Sequence, residues 1–81
     1  MTDGALELTE AVKSLRLSLG ESQQQFSNRL GIALGTVARY ETKNPPKGPV
    51  LLTLADTARK AQRWDLARVF ERAYTSGMAP S

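Results

Sequence analysis

Apolar residues recur along this chain at spacings of three and four, and each run stops at a residue that breaks helices. Leu8, Val12, Leu15 and Leu19 form the first stripe, closed by Gly20. Residues three and four apart share one face of a helix, so the pattern predicts an amphipathic helix over about 6–19. Either Asp3 or Thr9 would cap its start, and Glu7 and Glu10 suit the positive end of the helix dipole. Ser22 followed by Gln25 has the capping-box pattern, in which each side chain satisfies an orphan backbone N–H of the other residue. A second helix therefore starts just after Ser22, carries Phe26 and Leu30 on one face, and ends at Gly31. Ile32 turns inward, and Val37 with Tyr40 gives a third helix its buried side, leaving Leu34, Gly35, Ala38 and Arg39 facing elsewhere.

The stretch 22–41 thus reads as two short helices about a tight turn, and helices this short cannot bury themselves. The rest reads as their support. Pro45 and Pro46 in TKNPPKGP forbid helix continuation, and Pro49 suits the first turn of a fourth helix over about 49–61, with Leu51, Leu54, Ala55 and Ala58 inward. Leu66, Val69, Phe70 and Ala73 mark a fifth over about 64–75. Trp64 at the join is expected to lie as a lid on the core, its N–H near solvent. Tyr74 and Met78 are read either as a subunit contact or, with Ala79, Pro80 and Ser81, as part of a frayed end. The expected fold is all-α, a compact five-helix bundle forming one domain over 1–81, without repeats or low-complexity segments.

Composition narrows the chemistry. A chain of 81 residues buries only about 60% of its unfolded surface, which leaves little room for a cleft. With no cysteine and no histidine, disulfides, thiolate metal sites and the usual general base are all absent. Asp3, Glu7 and Glu10 have no nucleophile or desolvating pocket beside them in the pattern. The expectation is a protein that is not an enzyme and has no metal, cofactor or small-molecule substrate. No apolar run approaches the roughly 18 residues of a membrane span, and the MTDG start lacks a signal-peptide layout, so a cytoplasmic location without a membrane partner is expected. The Gly48 and Lys47 loop lacks the Walker spacing for nucleotide phosphates.

The formal charge of +3 is unevenly placed. Residues 1–21 carry −2, residues 22–50 carry +3 through Arg29, Arg39, Lys43 and Lys47 against Glu41, and residues 51–81 carry +2. The two-helix stretch is the basic part. The arginines after residue 50 read most simply as a solvated helix face.

Gln23, Phe26, Ser27, Leu30, Gly31, Ile32, Thr36, Val37, Arg39, Tyr40 and Glu41 closely resemble the helix-turn-helix of phage-repressor and Cro-type regulators, the XRE family, and the resemblance runs from about Val12 to Leu54 and Ala55. It implies a lambda-repressor-like fold with the motif as helices two and three, the third helix entering the major groove of double-stranded DNA and the second crossing the backbone. It implies a transcriptional regulator, of repressor type, that binds DNA as a homodimer. Gln23 matches the glutamine that touches the DNA backbone and braces the recognition helix. Arg16 and Glu41 match the family's structural bridge; two unrelated surface charges are the alternative. The implied DNA-binding set is Gln23, Ala33, Leu34, Gly35, Thr36, Ala38, Arg39, Thr42, Lys43 and Lys47, with Arg39 reading bases and the loop lysines on phosphates, unless those lysines are merely solvated.

The chain departs from the family where Ala33 replaces the serine or threonine N-cap of the recognition helix, at a cost of about 1 kcal/mol. Leu34 and Gly35 stand where relatives place amide or basic readers, so hydrogen-bond readout is thin, although leucine can touch a thymine methyl. That departure leaves a rival reading: the same fold as a protein-interaction module, such as an antitoxin or adaptor, docking through Leu34 with weak or no DNA binding.

Overall fold

The structure is a computed structural model, and it describes residues 4–78. Five helices follow one another: α1 (Gly4–Ser18), α2 (Gln23–Leu30), α3 (Leu34–Tyr40), α4 (Val50–Lys60) and α5 (Trp64–Met78), with no strand among the described residues. The bounds differ from the periodicity mainly at the outer ends, where α1 begins two residues earlier than expected and α5 runs three further. Asp3 lies outside the described residues, as do Ala79, Pro80 and Ser81. Thr9 is not a cap. It sits inside α1 with its side chain buried, because the helix has already begun at Gly4.

Three of the connections use one device. After α1, Gly20 takes φ +69°, its N–H donating to Leu17 O and that of Glu21 to Arg16 O. After α2, Gly31 takes φ +71°, its N–H reaching Asn28 O and that of Ile32 reaching Ser27 O. This crossed pair of bonds is the Schellman arrangement, which satisfies the last carbonyls of a helix through one left-handed residue. The third instance, after α4, uses Gln62 at φ +60°, with Gln62 N–H donating to Arg59 O and Arg63 N–H to Ala58 O. Nothing in the sequence marks a left-handed glutamine. The start of α2 follows expectation in full: Gln25 N–H donates to Ser22 Oγ at 3.1 Å and Ser22 N–H to Gln25 Oε1 at 2.9 Å.

The core is one cluster. Ala11, Val12 and Leu15 of α1, Phe26 of α2, Val37 of α3, Leu51, Leu54, Ala55 and Ala58 of α4, and Leu66, Ala67 and Phe70 of α5 are buried together. Leu8, Leu19, Leu30, Ile32, Tyr40, Val69, Ala73 and Tyr74 pack against it. α5 lies on α4 and α1, and α3 lies on α2 and α1, so α1 supports both pairs. Two expectations change. Trp64 is 62% exposed rather than a lid, because at the first position of α5 it precedes the inward stripe that begins at Leu66. Tyr74 is partly buried against the core, so its ring is not a free contact surface, and α5 remains helical to Met78 rather than ending near 75.

Candidate nucleic-acid interface

Local sequence fixes how α3 is mounted. Val37 is fully buried and Tyr40 half-buried, so the inner side of this seven-residue helix is anchored while Leu34, Gly35 and Arg39 are exposed and Thr36 and Ala38 flank them half-buried. Ala33 stands at the N-cap in extended geometry, φ −69° and ψ 147°, without a side-chain cap bond. At the other end a single acceptor, the carbonyl of Arg39, receives the N–H groups of Thr42, Lys43 and Asn44 at 3.2, 2.9 and 2.9 Å. The chain is thereby wound back before the proline pair. Thr42 is exposed, and its hydroxyl donates to Ala38 O at 2.8 Å, so that donor is already used within the chain. Pro46 is fully buried, which pins the loop between the exposed side chains of Lys43 and Lys47.

Glu41 closes α3, and its carboxylate joins three elements. Arg16 Nε donates to Oε2 at 2.7 Å, Arg16 Nη2 to Oε1 at 3.2 Å, and Gln23 Nε2 also to Oε1 at 3.1 Å. Arg16 Nη1 bonds the carbonyl of Glu21 at 2.8 Å. The side chains of Arg16 and Glu41 are 12% and 3% exposed, so this is an ion pair largely removed from water, not two surface charges. Hydrogen bonding to Glu41, opposed by desolvation, raises the Arg16 pKa above its already high ordinary value. α1, the start of α2 and the end of α3 are held in register by these few atoms, and Gln23 has the bracing geometry that its position suggested.

The charge pattern sharpens once ion pairs are drawn. Arg29, counted with the basic stretch, is held by Glu21 through Nε at 3.0 and 3.1 Å and Nη2 at 2.6 Å. The hydrogen bond from Arg29 lowers the Glu21 pKa. Arg59 engages Glu71 and Asp56, Lys60 engages Asp56, and Arg63 engages Asp65. Among the described residues, Arg39, Lys43 and Lys47 have no carboxylate partner, and all three are exposed on α3 or the loop that follows it. Three uncompensated cations thus lie on α3 or on the loop that follows it, where an anionic ligand meets no carboxylate already holding them. No group of acidic residues suited to a metal occurs among the described residues, and no helix is long and apolar enough to cross a membrane.

Sequence reasoning missed the Glu21–Arg29 clasp, because its partners lie eight residues apart, one just before the cap of α2 and the other in its last turn. It also missed the burial of Pro46, since the proline pair read only as a helix stop. Comparison with protein-family models, with curated proteins and with solved structures found no match to this chain.

Proposed function

We propose that the protein is a sequence-specific, double-stranded-DNA-binding regulator of transcription, not an enzyme, that inserts α3 into the major groove with α2 across the backbone. The observation that carries this reading is the mounting of α3: one side locked by Val37 and the Arg16–Glu41–Gln23 network, the other exposed and bearing unpaired Arg39, with unpaired Lys43 and Lys47 exposed on the loop that follows. The resemblance to phage-repressor and Cro-type motifs over the same residues supports it. Arg39 is the base reader, offering paired donors to a guanine edge, with Leu34 available to a thymine methyl. Lys43 and Lys47 hold phosphates, and Gln23 braces the helix from behind. One short helix covers too few base pairs for useful specificity, so the functional species is a homodimer with half-sites about 34 Å apart or a multiple of that.

Leu34, 43% exposed on the same side of α3, favours a second reading in which this surface docks a protein instead. Selection from a random duplex pool, followed by a salt titration on the enriched sequence, separates the two. Phosphate-held DNA gives an affinity that falls linearly with the logarithm of salt concentration, whereas an apolar contact is nearly indifferent to salt. Failure to enrich any sequence at low salt refutes the DNA reading.

A further inference from the structure

Among the described residues every carboxylate is held by a cation except those of Glu7 and Glu10, both exposed on α1. Outside α3 and its loop, the cations without a carboxylate partner are Lys13 on α1 and Arg68 and Arg72 on α5, again all exposed. α1 and α5 pack against each other and run antiparallel. Arg63, just before α5, donates to Ser18 Oγ at the end of α1, whereas Glu7 near the start of α1 and Arg72 in the later half of α5 border one open cleft. That cleft, about 390 Å³, is lined by half-buried Leu8, Val69 and Ala73, and Glu7 and Arg72 form no ion pair across it. Residues three and four apart are neighbours on a helix surface, so Glu10 continues the acidic edge and Arg68 the basic one. Beside the Ser18–Arg63 bond, Leu17 and Trp64 are 59% and 62% exposed. The face thus has a free acidic edge on one helix, a free basic edge on the other, and apolar surface between them and at one end.

We infer that this α1–α5 face pairs with the same face of a second copy of the chain, about a two-fold axis running along the helices. That rotation lays α1 of each copy over α5 of the other at the same height. Glu7 and Glu10 then meet the other copy's Arg72 and Arg68, Leu17 meets its Trp64, and the apolar cleft is closed. An isologous pair makes each of these contacts twice. Charge complementarity selects this occupant. An acidic helix, a nucleic acid or an anionic bilayer satisfies the arginines but brings like charge against Glu7 and Glu10, and a cationic partner fails at the other edge. Both edges are satisfied by a partner carrying the two charges in the opposite order, and a two-fold rotation turns the chain itself into that partner. The inference names the pairing face of the homodimer proposed above and rests on that part of the reading, not on DNA.

The test is sedimentation equilibrium of the full chain without DNA, at concentrations up to about 1 mM. The mass should rise from one chain to two and stop there, with a blue shift of the single tryptophan over the same range. Glu7→Arg/Glu10→Arg and Arg68→Glu/Arg72→Glu should each weaken association at least about tenfold, because like charges then face each other. The chain carrying all four substitutions has the parent's net charge and opposite charges at both edges again, so it should regain the dimer. A parent that stays a single chain overturns the inference in favour of a different partner, and growth beyond two chains overturns it because a closed two-fold pair cannot grow. Charge-reversed pairs that associate as well as the parent, or a fourfold variant that does not recover, also overturn it. Dimerisation with no duplex enriched refutes the DNA reading alone, whereas an enriched duplex bound by a protein that is monomeric without DNA overturns this inference alone.

Discussion

Replacing Glu41 with glutamine tests whether α3 is held by electrostatics or by packing alone. The parent carboxylate accepts three hydrogen bonds, two from Arg16 and one from Gln23. Glutamine keeps the volume and one oxygen but turns the other acceptor into a donor, so in either orientation an N–H faces an N–H. The Arg16 charge also loses its counter-charge at a site where the two side chains are 12% and 3% exposed. Removing one member of a buried pair costs about 3–5 kcal/mol, against at most about 1 kcal/mol for an exposed pair. Arg16 keeps its bond to the Glu21 carbonyl at 2.8 Å, which puts the expected loss near 3 kcal/mol, at the lower end of that range. At about 4–8 °C per kcal/mol for a domain of this size, the thermal midpoint should fall by about 12–24 °C. Urea titration followed by far-ultraviolet circular dichroism reads the loss directly. A companion variant, Arg16→Met with Glu41→Leu, removes both charges at similar volume and should recover most of the stability, because desolvation offsets much of what the pair contributes. A loss below about 1 kcal/mol in Glu41→Gln, or a double variant no more stable than the single, would refute the reasoning.

Four other outcomes are expected. Arg39→Ala should lose about 1–3 kcal/mol of binding and relax preference at one base pair, whereas Lys43→Ala and Lys47→Ala should weaken all sequences alike and lower the salt slope by about one each; a preference altered by Lys47→Ala but not by Arg39→Ala reverses the assignment. Ala33→Ser should add about 1 kcal/mol, since the backbone at 33 already has N-cap geometry and lacks only an acceptor; an unchanged denaturation midpoint contradicts this. Gln62→Gly should stabilise by about 0.5–1 kcal/mol, because a left-handed residue with a Cβ is strained and the gain exceeds glycine's entropic cost; a lowered midpoint sinks the idea. The Glu21 pKa is lower folded than unfolded, so its pair with Arg29 stabilises fully above about pH 4.3 and fades as acid protonates the folded carboxyl. The stability gap between parent and Glu21→Gln should therefore shrink on acidification below that point, and a gap independent of pH would count against the pair.

Helices whose starts and stops rest on local chemistry were legible in advance. The capping box at Ser22 and the left-handed glycines at positions 20 and 31 are short-range devices, and each appears where its residues stand. The stop after α4 was harder to read as a cap because Gln62 is a poor advertisement for a left-handed conformation that the surrounding bonds impose. Burial was legible where a residue belonged to a repeating stripe, as for Val12, Leu15, Leu54 and Phe70. It was not legible for residues at element boundaries. Trp64 was expected, from its size, to lie as a lid on the core, yet position on the helix decides exposure, and Pro46 looked like a loop residue yet is buried by the fold around it. The candidate site divides in the same way. Glu41 and its partners followed from sequence position through the family resemblance, but Arg29 changed from a free cation to a paired one only when the fold brought Glu21 to it.

Pro46 has a thermodynamic consequence for whatever meets the basic loop. A buried proline in the middle of the segment, between the two loop lysines, restricts the backbone before any partner arrives. The two ammonium groups are then presented from a track already fixed at folding, and association has little backbone left to order. Binding at this loop should accordingly show a heat-capacity change set by the contact area itself, without the larger signature of a segment that folds as it docks.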